Sequence, residues 1–64
     1  MKLNEKINYY RKKAKLSQEE LAALVGVSRQ AVSKWELGDA TPELDKLVAL
    51  ARAFGVTTDE LLSP

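Results

Sequence analysis

Apolar residues recur along this chain at intervals of three and four, the period of helices buried on one side. No run alternates apolar and polar positions with β-branched enrichment, so no strand is predicted. Leu3, Ile7 and Tyr10, with Ala14 four positions further on, form one stripe on a first helix from about Leu3 to Lys13. In "LSQEELAALVG", Ser17 and Glu20 have the spacing of a capping box, and Leu16 can staple onto Leu21. Leu21, Leu24 and Val25 are expected to face inward. Gly26 ends this helix, because glycine accepts a left-handed backbone without a Cβ clash.

A third helix, about residues 28–37, begins almost at once. Ser28 is its expected cap, Val32 and Trp35 its buried face, and Leu37-Gly38 its end. The register of Trp35 with Val32 makes it a core residue rather than a base-stacking platform, and Tyr9 and Tyr10 are likewise read as packing residues. "DATPELDKL" predicts a fourth helix with Thr41 as cap, Pro42 at the first helical position and acidic residues in the first turn. It would carry Leu44, Leu47, Val48, Ala51 and Phe54 inward, with Gly55 closing it. "VTTDELL" reads as a short last helix capped by Thr57 or Thr58. The expected fold is all-α, five helices joined by tight turns.

The second and third helices are separated only by "GVS", too little for a loose antiparallel hairpin, so they must cross steeply as in a helix-turn-helix. Such a crossing needs small side chains at the closest approach, for which Ala22 and Ala31 are candidates. It also needs an apolar wedge, supplied by Leu21, Val25, Val27, Val32 and Trp35. With that face buried, the other flank of the third helix presents Arg29, Gln30, Ser33 and Lys34. Arginine can donate two hydrogen bonds to a guanine edge in the major groove, and glutamine can pair in the same way with adenine. The free N–H groups of the helix's first turn suit a phosphate. An isolated amphipathic helix could carry the same residues as a plain solvated face. The glycine turn, the small residues and the apolar positions on both sides favour DNA reading.

Composition narrows the alternatives. The 64 residues include no cysteine and no histidine, which removes disulfides, thiolate sites, the commonest general base and the commonest transition-metal ligand. No metal and no cofactor are expected. A domain of this size buries only about 60% of its unfolded surface, so residues 1–64 are read as one small domain. Formal net charge is only +1, yet Lys2, Lys6, Arg11, Lys12, Lys13 and Lys15 cluster in the first 15 residues against Glu5 alone. That cluster could equally be a solvated helix face. No apolar run approaches the roughly 20 residues of a membrane helix, and the first 15 residues lack a signal-peptide core. A cytoplasmic protein without membrane contact is expected.

Read together, "LSQEELA…VGVSRQAVSKWE…G…P…L…LA…FGV…ELL" resembles the phage repressor/Cro-like helix-turn-helix family, also called the xenobiotic-response-element family, from Leu3 to Leu62. The resemblance implies a compact five-helix bundle of the lambda-repressor-like DNA-binding type with a central helix-turn-helix. It implies a transcriptional regulator, most simply a repressor, that binds double-stranded DNA as a homodimer on two-fold operators. Residues 1–64 would then be the DNA-binding domain, with room for a longer regulator around it. Arg29, Gln30, Ser33 and Lys34 occupy the family's base-contacting positions. Gln18 would bind a phosphate and brace the recognition helix, and Ser28 would sit beside the DNA backbone. Arg11 and Glu36 match a family ion pair between the first and third helices, which leaves Lys12, Lys13 and Lys15 as candidate phosphate contacts. Leu37, Asp39 and Ala40 depart from the family's pattern, in which polar or basic residues touch the backbone. Either those loop contacts are lost, or Leu37 packs on the fourth helix and backbone N–H groups replace them. The exposed end of the last helix, with Val56, Leu61 and Leu62, is the candidate dimer surface.

Two other functional classes are compatible with a small all-α domain. An enzyme would have to work through Ser, Lys, Asp or Glu, and the adjacent pairs Glu19-Glu20 and Asp59-Glu60 point apart on a helix. A protein-interaction module, such as an antitoxin or co-regulator, is the stronger rival, because one fold can host either role. Such a docking face should be apolar at its centre, and this one carries Arg29 and Lys34.

Overall fold

The computed structural model describes all of residues 1–64. Five helices follow in order: α1 (Leu3–Lys13), α2 (Gln18–Val25), α3 (Arg29–Leu37), α4 (Leu44–Phe54) and α5 (Thr58–Leu62). They form a body 26 × 23 × 21 Å across. Its centre is built from Ile7, Leu21, Val32, Leu50 and Leu61, each essentially solvent-free, closed over by Ala22, Val25, Trp35 and Ala51. Every helix contributes, so no helix can leave without opening the same core.

Local chemistry sets the boundaries. Ser17 accepts a hydrogen bond from the Glu20 N–H at 3.0 Å, and the Glu20 carboxylate accepts one from the Ser17 N–H at 2.8 Å. This reciprocal pair starts α2 and holds the Glu20 carboxyl below its ordinary pKa, first through the bond from the Ser17 backbone. Thr57, rather than Thr58, starts α5 with the same arrangement to Glu60. Gly26 closes α2 at φ +80°, with its own N–H and that of Val27 both donating to the Ala22 carbonyl.

The turn between α1 and α2 reaches the same geometry without glycine. Lys15 stands at φ +60°, while its N–H donates to the Lys12 carbonyl and the Leu16 N–H donates to the Arg11 carbonyl. Leu16 then packs against the core and anchors the turn.

Several expectations are corrected. The fourth helix does not begin at Thr41-Pro42. Its N-cap is Glu43; Asp39 and Ala40 bend back, their N–H groups donating to the Lys34 carbonyl, and Pro42, in the irregular stretch before α4, is buried. Pro42 lines a narrow cleft with Leu3, Asn4 and Trp35, so it lies beside α1 and α3 instead of starting a helix. Leu44 is therefore at the outer first turn and 71% exposed, while Leu50, which the motif reading passed over, lies at the centre. Leu24 is 62% exposed: Leu21, Ala22 and Val25 span one arc of α2, and Leu24 falls roughly 100° from its middle. Ala14 is the exposed C-cap of α1. Tyr10 stacks on Phe54 with ring centroids 5.7 Å apart, but Tyr9 lies at the surface, edge-on to Tyr10 and beneath Lys13. Leu37 is 69% exposed and does not pack on α4.

Lys6 is also not part of a solvated basic face. It is buried, and its Nζ donates to the carbonyls of Glu60, at 2.7 Å, and Ser63. A lysine here satisfies orphan carbonyls at the end of α5, where the helix dipole favours a cation.

Candidate nucleic-acid interface

The two helices that matter most are α2 and α3, joined by Gly26, Val27 and Ser28. Ala22 is buried and Ala31 partly so, which lets the two backbones approach. Val27 closes the wedge from the turn. Ser28 caps α3, its Oγ accepting from the Ala31 N–H at 3.2 Å. Val32 and Trp35 then anchor one side of α3 in the core.

Helical geometry does the rest. With those two inward, Arg29, Gln30 and Lys34 are exposed and Ser33 is half-buried at the edge of the same flank. Lys34 takes part in neither ion pair of the molecule. These charged and amide groups remain solvated and available.

Behind this flank lies a polar network centred on Glu36. Arg11 grips its carboxylate with two hydrogen bonds, Nε to Oε2 at 2.6 Å and an Nη to Oε1 at 3.1 Å. Asn8 Nδ2 donates to Oε1 at 2.9 Å, and Gln18 Nε2 donates to the same oxygen at 3.0 Å. Burial by itself would push the Glu36 carboxyl up. The bonds from Arg11, Asn8 and Gln18, with the charge of Arg11, outweigh it and hold the pKa below the ordinary value. Arg11 also donates to the Leu16 carbonyl at 2.9 Å, tying the network to the α1–α2 turn. Asn4 Nδ2 donates to the Glu36 backbone carbonyl at 3.3 Å, in the last turn of α3. On the outer side, Gln18 Oε1 accepts a long contact of 3.5 Å from Arg29.

Arg11, Glu36, Gln18 and Arg29 thus form one connected chain of side chains. Lys12 and Lys13 are exposed and line an open groove that also includes Asn8, Tyr9 and Glu36, so they border the same region. Ser28 is exposed, with its hydroxyl occupied in capping. Sequence reasoning missed Asn4 and Asn8. The signal was present: with Arg11 they stand at spacings of four and three, one position after Leu3, Ile7 and Tyr10. A polar stripe therefore runs beside the apolar one on α1.

The fold recurs among known proteins. The helix-turn-helix family model matches residues 7–61. The chain belongs to the helix-turn-helix family. The HTH-type transcriptional activator BcrR of Enterococcus faecalis is 46% identical over 63 residues, covering 98% of this chain and 31% of that protein. Repressor protein C2 of Salmonella phage P22 is 40% identical over 60 residues, covering 94% of this chain and 28% of that protein. The chain thus spans less than a third of the length of these two relatives. The P22 c2 repressor solved in complex with a synthetic operator superposes with a TM-score of 0.94 at 38% identity, over 98% of this chain and 96% of that one.

Proposed function

We propose that residues 1–64 form the DNA-binding domain of a transcriptional regulator, which enters the major groove of double-stranded DNA with α3. The carrying observation is the exposed flank of Arg29, Gln30, Ser33 and Lys34 on a helix whose opposite face is locked into the core. A helix fixed in this way can present side chains to base edges without reorganising. The operator complex of the similar P22 c2 repressor supports the same use of the fold.

Arg29 is assigned to a guanine and Gln30 to an adenine, with Ser33 and Lys34 on neighbouring base edges. Gln18, Ser28, Lys12 and Lys13 are assigned to phosphates, which set register and orientation but not sequence. The domain binds; it carries out no catalytic step. Relatives include both an activator and a repressor, so the proposal is control of transcription through operator binding. No helix is long and apolar enough to cross a membrane, and we place the protein in the cytoplasm with the DNA.

One copy serves a half-site. Bodies at most 26 Å across fit side by side on a two-fold operator whose half-sites lie about 34 Å apart. Leu61 cannot supply the dimer contact, because it is buried in the domain's own core; Val56, partly buried, and Leu62, 54% exposed, remain available.

A salt titration with a short duplex tests the proposal. Affinity should fall linearly on a log–log plot as salt rises, and Lys12→Ala should lower the slope by about 0.9, one phosphate's worth of counterion. Binding that is absent, or indifferent to salt, would favour a protein-docking role instead.

A further inference from the structure

We infer that Asn8, on the first helix and outside the recognition helix, is a positioning residue for base reading, acting on Arg29 through Glu36 and Gln18. The inference rests on the proposed DNA reading and adds a residue to it. Its starting point is the orientation of the Gln18 amide. A carboxylate can only accept hydrogen bonds, and a guanidinium can only donate them. Gln18 lies between Glu36 and Arg29, so its nitrogen must face Glu36 and its oxygen must face Arg29, as the 3.0 Å and 3.5 Å contacts have it. Gln18 thereby turns the negative Glu36 into a neutral acceptor for Arg29. Arg29 is steered without being neutralised, and its remaining N–H groups stay free for a base.

This relay works only if the Glu36 oxygen that receives Gln18 stays in place. Arg11 holds Oε2 closely, at 2.6 Å, and Oε1 less closely, at 3.1 Å. Asn8 donates to Oε1, the oxygen that Gln18 uses, and does so at 2.9 Å. Without Asn8, Oε1 keeps only the longer Arg11 bond beside Gln18, so the oxygen that receives Gln18 is held less firmly and Gln18 loses its fixed partner. The contact to Arg29 is long, so a small displacement of Gln18 is enough to release it. Asn4 holds the Glu36 backbone instead, and so anchors the helix end rather than the carboxylate.

The test compares two duplexes: one selected by the wild-type chain from a randomised pool, and a scrambled duplex of equal length. Their affinity ratio is measured for wild type, Asn8→Ala, Arg29→Ala and the double variant, with thermal melting of each. Asn8→Ala should reduce the ratio about fivefold, leave binding to the scrambled duplex and its salt slope unchanged, and add nothing once Arg29 is alanine. If both duplexes weaken in parallel, Asn8 is merely structural. If the ratio falls further in the Arg29→Ala background, Asn8 does not act through Arg29. A lowered salt slope means that it touches phosphate directly. Each of these outcomes overturns the inference while Arg29→Ala alone still lowers the ratio. If Arg29→Ala leaves the ratio intact, or no duplex is enriched, the base-reading proposal itself fails. Should Asn8→Ala unfold, Asn8→Gln keeps an amide donor and should restore part of the ratio; equal loss at both duplexes would again count against the relay.

Discussion

At the scale of single residues, two kinds of constraint hold the interface, one conformational and one electrostatic. Gly26 stands at φ +80°, and a Cβ added there would meet no atom within 4 Å. The penalty of Gly26→Ala is therefore backbone strain alone, about 1–2 kcal/mol. Urea denaturation should show that loss with an unchanged dependence on denaturant. Glu36 illustrates the other kind. Its carboxyl pKa is lowered on folding, so its contribution is complete above the ordinary carboxylate value of 4.5 and is lost as pH falls through the lowered folded value. Glu36→Gln should accordingly melt lower than wild type near neutrality, and the gap should close in acid. A gap that widened in acid would mean that burial, not hydrogen bonding, controls this carboxyl.

At the scale of helices, stability rests on caps and on a small shared centre. Leu50 is fully buried in α4, with Ile7, Leu21, Val32 and Leu61 as the other solvent-free side chains. Leu50→Ala should cost about 2–5 kcal/mol, a large part of the 5–15 kcal/mol typical of small domains. Thermal melting should show it as a shift of many degrees. Where the sequence carried an explicit local signal, the helices followed it: Ser17 with Glu20, Gly26, Ser28, and Thr57 with Glu60. The start of α4 departs from its local signal, since Thr-Pro followed by acidic residues is a strong cap pattern in isolation. Here Pro42 is instead buried before the helix starts, on the wall of a cleft with Leu3 and Trp35. The apolar period could not rank leucines either, and Leu24 and Leu44 stay outside while Leu50 goes in. The turn at Lys15 left no trace, since a lysine gives no sign that it will take a left-handed conformation.

At the scale of the whole molecule, the interface is a by-product of the core. Burying Val32 and Trp35 decides which side of α3 is free, and the Glu36 network fixes that helix to α1 and α2 at its C-terminal end. The exposed flank of α3 was legible in advance because it is the complement of the buried one. The network's extent was not, because Asn4 and Asn8 are ordinary helix-surface residues until α3 is laid across them. Lys6 shows the same limit: its burial depends on the last turn of α5, 54 and 57 residues away in the chain. The central claim is that the exposed flank of α3 reads base edges, and duplex selection from a randomised pool tests it most directly. The wild-type chain should enrich a defined half-site. Arg29→Ala should lose about 1–3 kcal/mol on that site and relax preference at one base pair while the rest of the site is retained. An enriched site that is identical with and without the Arg29 side chain would contradict the account.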